Sequence, residues 1–139
     1  MKSFSKIIFS LIAIFSIIPN HGYANNNVWN ELRKIEKTIE NLGTSVYWAN
    51  KHSFCKEGLL GAYIPTEDVI YICQANHQND YLELLGTLKH EGWHAVQIKC
   101  NNGLALLTDG QMRAHLKKRD RKNLHLYHTK NKRAEAEAR

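Results

Sequence analysis

The chain has 139 residues, a formal net charge of +6, 43% hydrophobic residues and three cysteines. That length allows one domain with a single modest core and excludes a site built between two domains. Beyond the first two dozen residues, no segment is long and apolar enough to cross a membrane.

Residues 1–24 are unlike the remainder. MKSFSK carries Lys2 and Lys6, an apolar run from Ile7 to Ile18 follows, and PNHGYA then places Gly22 and Ala24 as small residues before a cut. This is the layout of a secretory signal peptide, which predicts a mature domain over 25–139 in a secreted or periplasmic location. The apolar run of about a dozen residues falls short of the roughly 20 that span a bilayer. Export implies an oxidising compartment in which two of Cys55, Cys73 and Cys100 can pair, and the sequence leaves open which two. A cysteine zinc site would want CxxC spacing, which is absent. Lys2 and Lys6 account for two units of the +6, leaving +4 on the mature chain. Much of that excess lies in KKRDRK (Lys117 to Lys122) and KNKR (Lys130 to Arg133). Without aromatic or helix-in-groove support the charge does not indicate nucleic acid; solvated helix faces explain it, with an anionic envelope surface as a candidate contact. A monomer is expected.

In the mature region, Asn25 to Asn27 precede Trp29, Leu32, Ile35, Ile39 and Leu42 at helical spacing, predicting a first helix capped by the asparagines and stopped near Gly43. SVYWAN (Ser45 to Asn50) reads as a strand. In Gly58 to Cys73, two apolar runs flank Pro65-Thr66-Glu67-Asp68, predicting a hairpin of Leu59 to Ile64 and Val69 to Cys73. NHQND supplies a loop and N-cap for a helix from about Tyr81 to Lys99, closed by Asn101 to Gly103. LALLTDGQMRAHLKKRD is again helical in pattern, weakened by Gly110, and AEAEAR has strong helix formers with no room to develop a helix. The order predicts an α+β fold, with helices packed on a small antiparallel sheet.

Within the Tyr81 helix, LKHEGWHAVQ contains H-E-x-x-H, with His90, Glu91 and His94. Residues four apart on a helix differ by about 40° in angle and roughly 6 Å in rise, so His90 and His94 project side by side and can occupy two corners of a metal tetrahedron. Glu91, rotated about 100° from His90, stands outside that shell within reach of a water there. A catalytic zinc commonly takes a third protein ligand. Cys100 holds the position six after His94, so the form with a third histidine there is excluded. The downstream candidates are His115, His125, His128, Glu135 and Glu137. Gln97, one turn beyond His94, either supports a ligand or is exposed.

HEGWH followed by Glu135-Ala136-Glu137-Ala138 resembles the gluzincin branch of zincin metallopeptidases, in which a later helix supplies a glutamate ligand within an E-x-x-A-D-like string. The resemblance implies Zn²⁺ held by His90, His94 and Glu135, with Glu91 as general base in hydrolysis of peptide amide bonds. It also implies that Gly58 to Ile64 or Val69 to Cys73 pairs with extended substrate. Arg139 stands where the string often has Asp, so the carboxylate that would orient a ligand histidine is missing there. Glu135 and Glu137 lie about 200° apart on a helix, so only one can face the metal. Tyr127 and His128 are candidates for stabilising an oxyanion. The alternative is a non-catalytic secreted binding protein on the same fold with an incomplete metal site; a third reading is a small basic envelope-binding module in which HEGWH is accidental.

Overall fold

The computed structural model describes residues 21–49, 53–56, 58–116 and 132–139, with backbone alone at 21–25, 113 and 115. Residues 1–20, the Lys117 to Lys122 run, His125, Tyr127 and His128 lie outside the described residues, as does the side chain of His115. Among the described residues, no helix is long and apolar enough to cross a membrane.

Helix α1 runs His21–Asn41. Its stripe of Leu32 and Ile39 is buried, with Val28, Trp29 and Ile35 packed alongside, as the helical spacing predicts. The asparagines do not cap it, because the helix already includes them. Asparagine in a helix interior costs less than about 1 kcal/mol, which a buried apolar stripe outweighs. At the other end Gly43 takes φ +87° and lets the chain turn into the sheet.

Strands β1 (Ser45–Ala49), β2 (Gly61–Ile64) and β3 (Val69–Cys73) form one sheet in the order β1-β3-β2. The hairpin is present, with Ala62 opposite Tyr71 and Ile64 opposite Val69. The sheet as a whole is mixed and not antiparallel, since β1 runs parallel to β3, pairing Tyr47 with Tyr71 and Trp48 with Ile72. VIYIC is the most continuously apolar strand, and with Ile70, Ile72 and Cys73 fully buried it takes the central position. Because β3 is paired on both sides, Val69 to Cys73 has no open edge to offer a peptide; among the described residues, β2 is paired with a strand on one side only. Cys55 bonds to Cys73, fastening the loop after β1 to the end of the central strand, and Cys100 is a free, exposed thiol.

After a 3-10 turn over Gln74–His77, helix α2 spans Tyr81–Asn101. Asp80 caps it by accepting from Leu82 and Glu83 N–H, at 3.0 Å each. Leu84, Leu85, Leu88 and Ala95 meet Ile70, Ile72, Leu32 and Ile39 in the core. Two glycines permit this packing. A Cβ at Gly92, within HEGWH, would lie 2.7 Å from Ile39 Cδ1, and one at Gly61 would lie 2.8 Å from Thr87 Cγ2. They let α1 and β2 approach opposite sides of the α2 helix closely.

Residues 104–107 are not helical, and helix α3 is confined to Asp109–His115 behind a Thr108 capping box with Gln111. The predicted helix fails there because other groups take its backbone. Asn101 donates to the Leu104 and Ala105 carbonyls, and Glu137 accepts from the Leu106 and Leu107 N–H groups. The terminal segment, read as too short to develop a helix, forms α4 over Lys132–Ala138. It docks on α2 through Gln97 and on the 104–107 loop through Glu137.

Candidate metal centre

The fourth-residue spacing in α2 brings the two imidazoles together: His94 Nε2 lies 3.2 Å from His90 Nε2, with the rings edge to face. Helix α4 adds Glu135, whose Oε2 is 3.4 Å from His90 Nε2 and whose Oε1 is 3.5 Å from His94 Nε2. Donor atoms held by a tetrahedral ion at about 2.0–2.1 Å lie about 3.3–3.4 Å apart, close to the separation of the two imidazole nitrogens and to the approach of each Glu135 oxygen to its nearer histidine. His90, His94 and Glu135 could thus hold a metal ion.

The hydrogen bonds around the rings favour that assignment. His90 Nδ1 faces the Ala138 carbonyl at 3.1 Å, which can only accept, so the proton of a neutral ring belongs on Nδ1. His94 Nδ1 faces Gln97 Oε1 at 2.8 Å. Both rings then direct an Nε2 lone pair toward the same point, an arrangement that repels unless a cation or proton lies there. Glu135 Oε2 is buried without a hydrogen bond. Its contacts to the histidines exceed the roughly 2.7–2.9 Å of charge-assisted hydrogen bonds. Two inward lone pairs and one orphaned carboxylate oxygen are the donor set a divalent ion would satisfy.

Charge follows the same pattern. Burial opposes ionisation of Glu135, but His90 and His94 outweigh it and draw its pKa down to about 2. For His94, burial disfavours the charged ring, and Glu135 with Gln97 more than offsets this, raising its pKa. Glu91 behaves in the opposite sense to Glu135. Burial is the main cause that raises its pKa, against the pull of the two histidines and the Tyr63 N–H. That N–H donates to Glu91 Oε2 at 2.9 Å, so β2 fixes the carboxylate beside the histidines.

Glu137 does not face the histidines. Its carboxylate accepts from Gln97 Nε2 at 2.6 Å and from the Leu106 and Leu107 N–H groups, which lower its pKa against the effect of burial. The angular argument thus separates the two glutamates as expected: Glu135 joins the cluster and Glu137 joins the loop. The sequence did not signal the Ala138 carbonyl or the Tyr63 N–H, because backbone groups carry no residue-type signature. Gln97 was visible as a residue one turn from His94, on a neighbouring face.

His90 and Glu91 line a cleft of about 700 Å³, together with Gly61, Gly86, Thr87 and Arg139. His94 and Glu135 line a second, of about 320 Å³, with Tyr63, Pro65 and Ile98. The cluster is therefore approached from two sides. No protein-family model, no curated protein and no solved structure matches this chain.

Proposed function

We propose that the protein is an exported zinc-dependent metallopeptidase, resembling the gluzincins, that hydrolyses peptide amide bonds. The observation that carries this reading is the convergence of His90 Nε2, His94 Nε2 and Glu135 on one point, with the buried Glu91 carboxylate next to His90. Zinc, when bound, would polarise the scissile carbonyl and make water acidic enough to ionise near neutral pH.

The remaining steps belong to the chain. Glu91 takes the proton from the attacking water and passes it to the leaving amine. Burial suits it to this exchange by making its carboxyl more basic than an ordinary glutamate. The Tyr63 N–H holds Oε2, which leaves Oε1 to carry the proton. Along the open edge of β2, Gly61 contributes backbone without a side chain beside the larger cleft, a place for extended substrate. The Cys55–Cys73 bond supports export, because such bonds persist in oxidising compartments.

The test is the metal content of the purified mature protein, followed by cleavage of a denatured protein substrate by wild type and Glu91→Gln. We expect stoichiometric zinc in both and a loss of about 10²–10⁴ in rate in the variant, the usual worth of a general base. Zinc without cleavage in the wild type would favour the binding protein, and absence of zinc would sink both metal readings.

A further inference from the structure

Gln97 is 1% exposed, so its hydrogen bonds are made to protein groups and not to bulk water. Its amide nitrogen lies 2.9 Å from the Ala134 carbonyl and 2.6 Å from Glu137 Oε2. The Ala134 carbonyl can only accept, and the Glu137 carboxylate already accepts from the Leu106 and Leu107 N–H groups. The nitrogen end of the amide must therefore point at them, and the oxygen end must point at His94 Nδ1, 2.8 Å away. A reversed amide would set two acceptors, the Ala134 carbonyl and Glu137 Oε2, against the amide oxygen.

From this geometry we infer that Gln97 and Glu137 are positioning residues that lock His94 in its Nδ1–H tautomer and present Nε2 to the cluster. The inference rests on the metal-site reading above and adds a chain of dependence to it. The 106–107 backbone fixes Glu137, Glu137 orients the Gln97 amide, and the amide sets the His94 proton. Arg139 occupies the place where an E-x-x-A-D string has its orienting carboxylate. Gln97 supplies that orientation from the ligand helix itself, and the Ala138 carbonyl supplies it for His90.

A polarity swap separates this lock from simple packing. Gln97→Glu sets two carboxylates 2.6 Å apart, and adding Glu137→Gln restores one donor and one acceptor across that contact. Two readouts apply to the full mature chain: imidazole nitrogen NMR of the metal-free protein in mildly alkaline solution, and Zn²⁺ affinity by chelator competition. We expect wild-type His94 to be Nδ1–H. Gln97→Met should populate both His94 tautomers, leave His90 unchanged and weaken Zn²⁺ binding about 10–100-fold, as for other orienting partners of metal ligands. Gln97→Glu should weaken binding as well, and the double variant should recover at least part of the loss.

The lock is overturned if His94 in the wild type is Nε2–H, a measurement that needs no variant to fold. It is also overturned if Gln97→Met keeps the tautomer with Zn²⁺ affinity within about twofold. Nδ1–H in a wild-type chain that binds no Zn²⁺ would uphold the lock and overturn the zinc reading, so the two fail separately.

Discussion

Helix α2 carries His90, Glu91 and His94 on a frame of 21 residues, seven of them buried, whereas α4 brings Glu135 on seven residues of which none is buried. The first is held by apolar area: Leu84, Leu85 and Leu88 are bound into the core whether or not a metal is present. The second has no buried residue over Lys132–Ala138, so apolar area does little to hold it. Its anchors are polar: Gln97 on the Ala134 carbonyl and on Glu137, the Leu106 and Leu107 N–H groups on Glu137, and His90 on the Ala138 carbonyl. An exposed Arg133–Asp109 pair at 3.0 Å adds little. One cluster is thus assembled from a rigid half and a half whose position depends on the groups it meets, and the two should respond differently to perturbation.

The largest expected effect lies on the weaker half. Glu135→Ala removes a donor that α4 alone supplies, so Zn²⁺ affinity should fall by more than the roughly 10–100-fold of an orienting partner. In the wild type, metal should slow amide exchange in α4 while leaving the middle of α2 unchanged. Equal metal retention in Glu135→Ala and Glu137→Ala would remove Glu135 from the site. A wild-type α4 that is equally protected with and without Zn²⁺ would show that its polar anchors alone suffice.

The stronger half is tested from behind. Gly92→Ala places a methyl 2.7 Å from Ile39 Cδ1, where α1 and α2 touch. Overpacking of this kind costs about 1–3 kcal/mol, against about 1 kcal/mol that alanine gains over glycine in a helix interior, so the net loss is read as a modestly lower urea midpoint at unchanged slope. His90 and His94 remain on their own face, so metal affinity should change much less than in Glu135→Ala. A Gly92→Ala protein as stable as wild type would mean that the Ile39 side chain yields at this contact.

The same division explains what could be read from the chain. H-E-x-x-H is local, so helical spacing alone aligns His90 with His94, and the hairpin around Pro65 to Asp68 is local too. The parallel partner of β1 was not legible, because nothing in SVYWA states which strand it will meet, and the order depends on β3 filling the centre. Nor was the extended 104–107 segment. Leu104 to Leu107 has helix-forming composition, and its backbone is diverted by Asn101 and Glu137, the latter 30 residues from Leu107. Glu135 could be named from its string, whereas its docking depends on polar groups brought together only by the fold.

The smallest expected effect concerns how β2 keeps Glu91 in place. Tyr63 supplies the N–H for Glu91 and sends its hydroxyl to Asp68 Oδ1 at 3.0 Å, where Thr44 Oγ1 also donates at 2.7 Å and Lys99 reaches Oδ2 at 2.5 Å. Lys99 is the chief cause holding Asp68 below the usual carboxylate range, with Thr44 and Tyr63 assisting against burial. Its ionised form is therefore favoured by folding. That contribution is present above the unfolded aspartate pKa near 3.9 and is lost as pH falls through the lower folded value. The Tyr63 phenol is pushed up to about 12, by burial first and then by Asp68. Its contribution is full below the ordinary tyrosine pKa near 10 and disappears as pH rises through about 12. Asp68→Asn should flatten the acid arm of a stability–pH profile and shrink the alkaline arm, each by about 1 kcal/mol or less because the Asp68–Lys99 pair is partly exposed. If both arms survive unchanged in Asp68→Asn, the hairpin turn does not anchor Tyr63, and the strand that holds Glu91 must be fixed by the close Gly61–Thr87 contact instead.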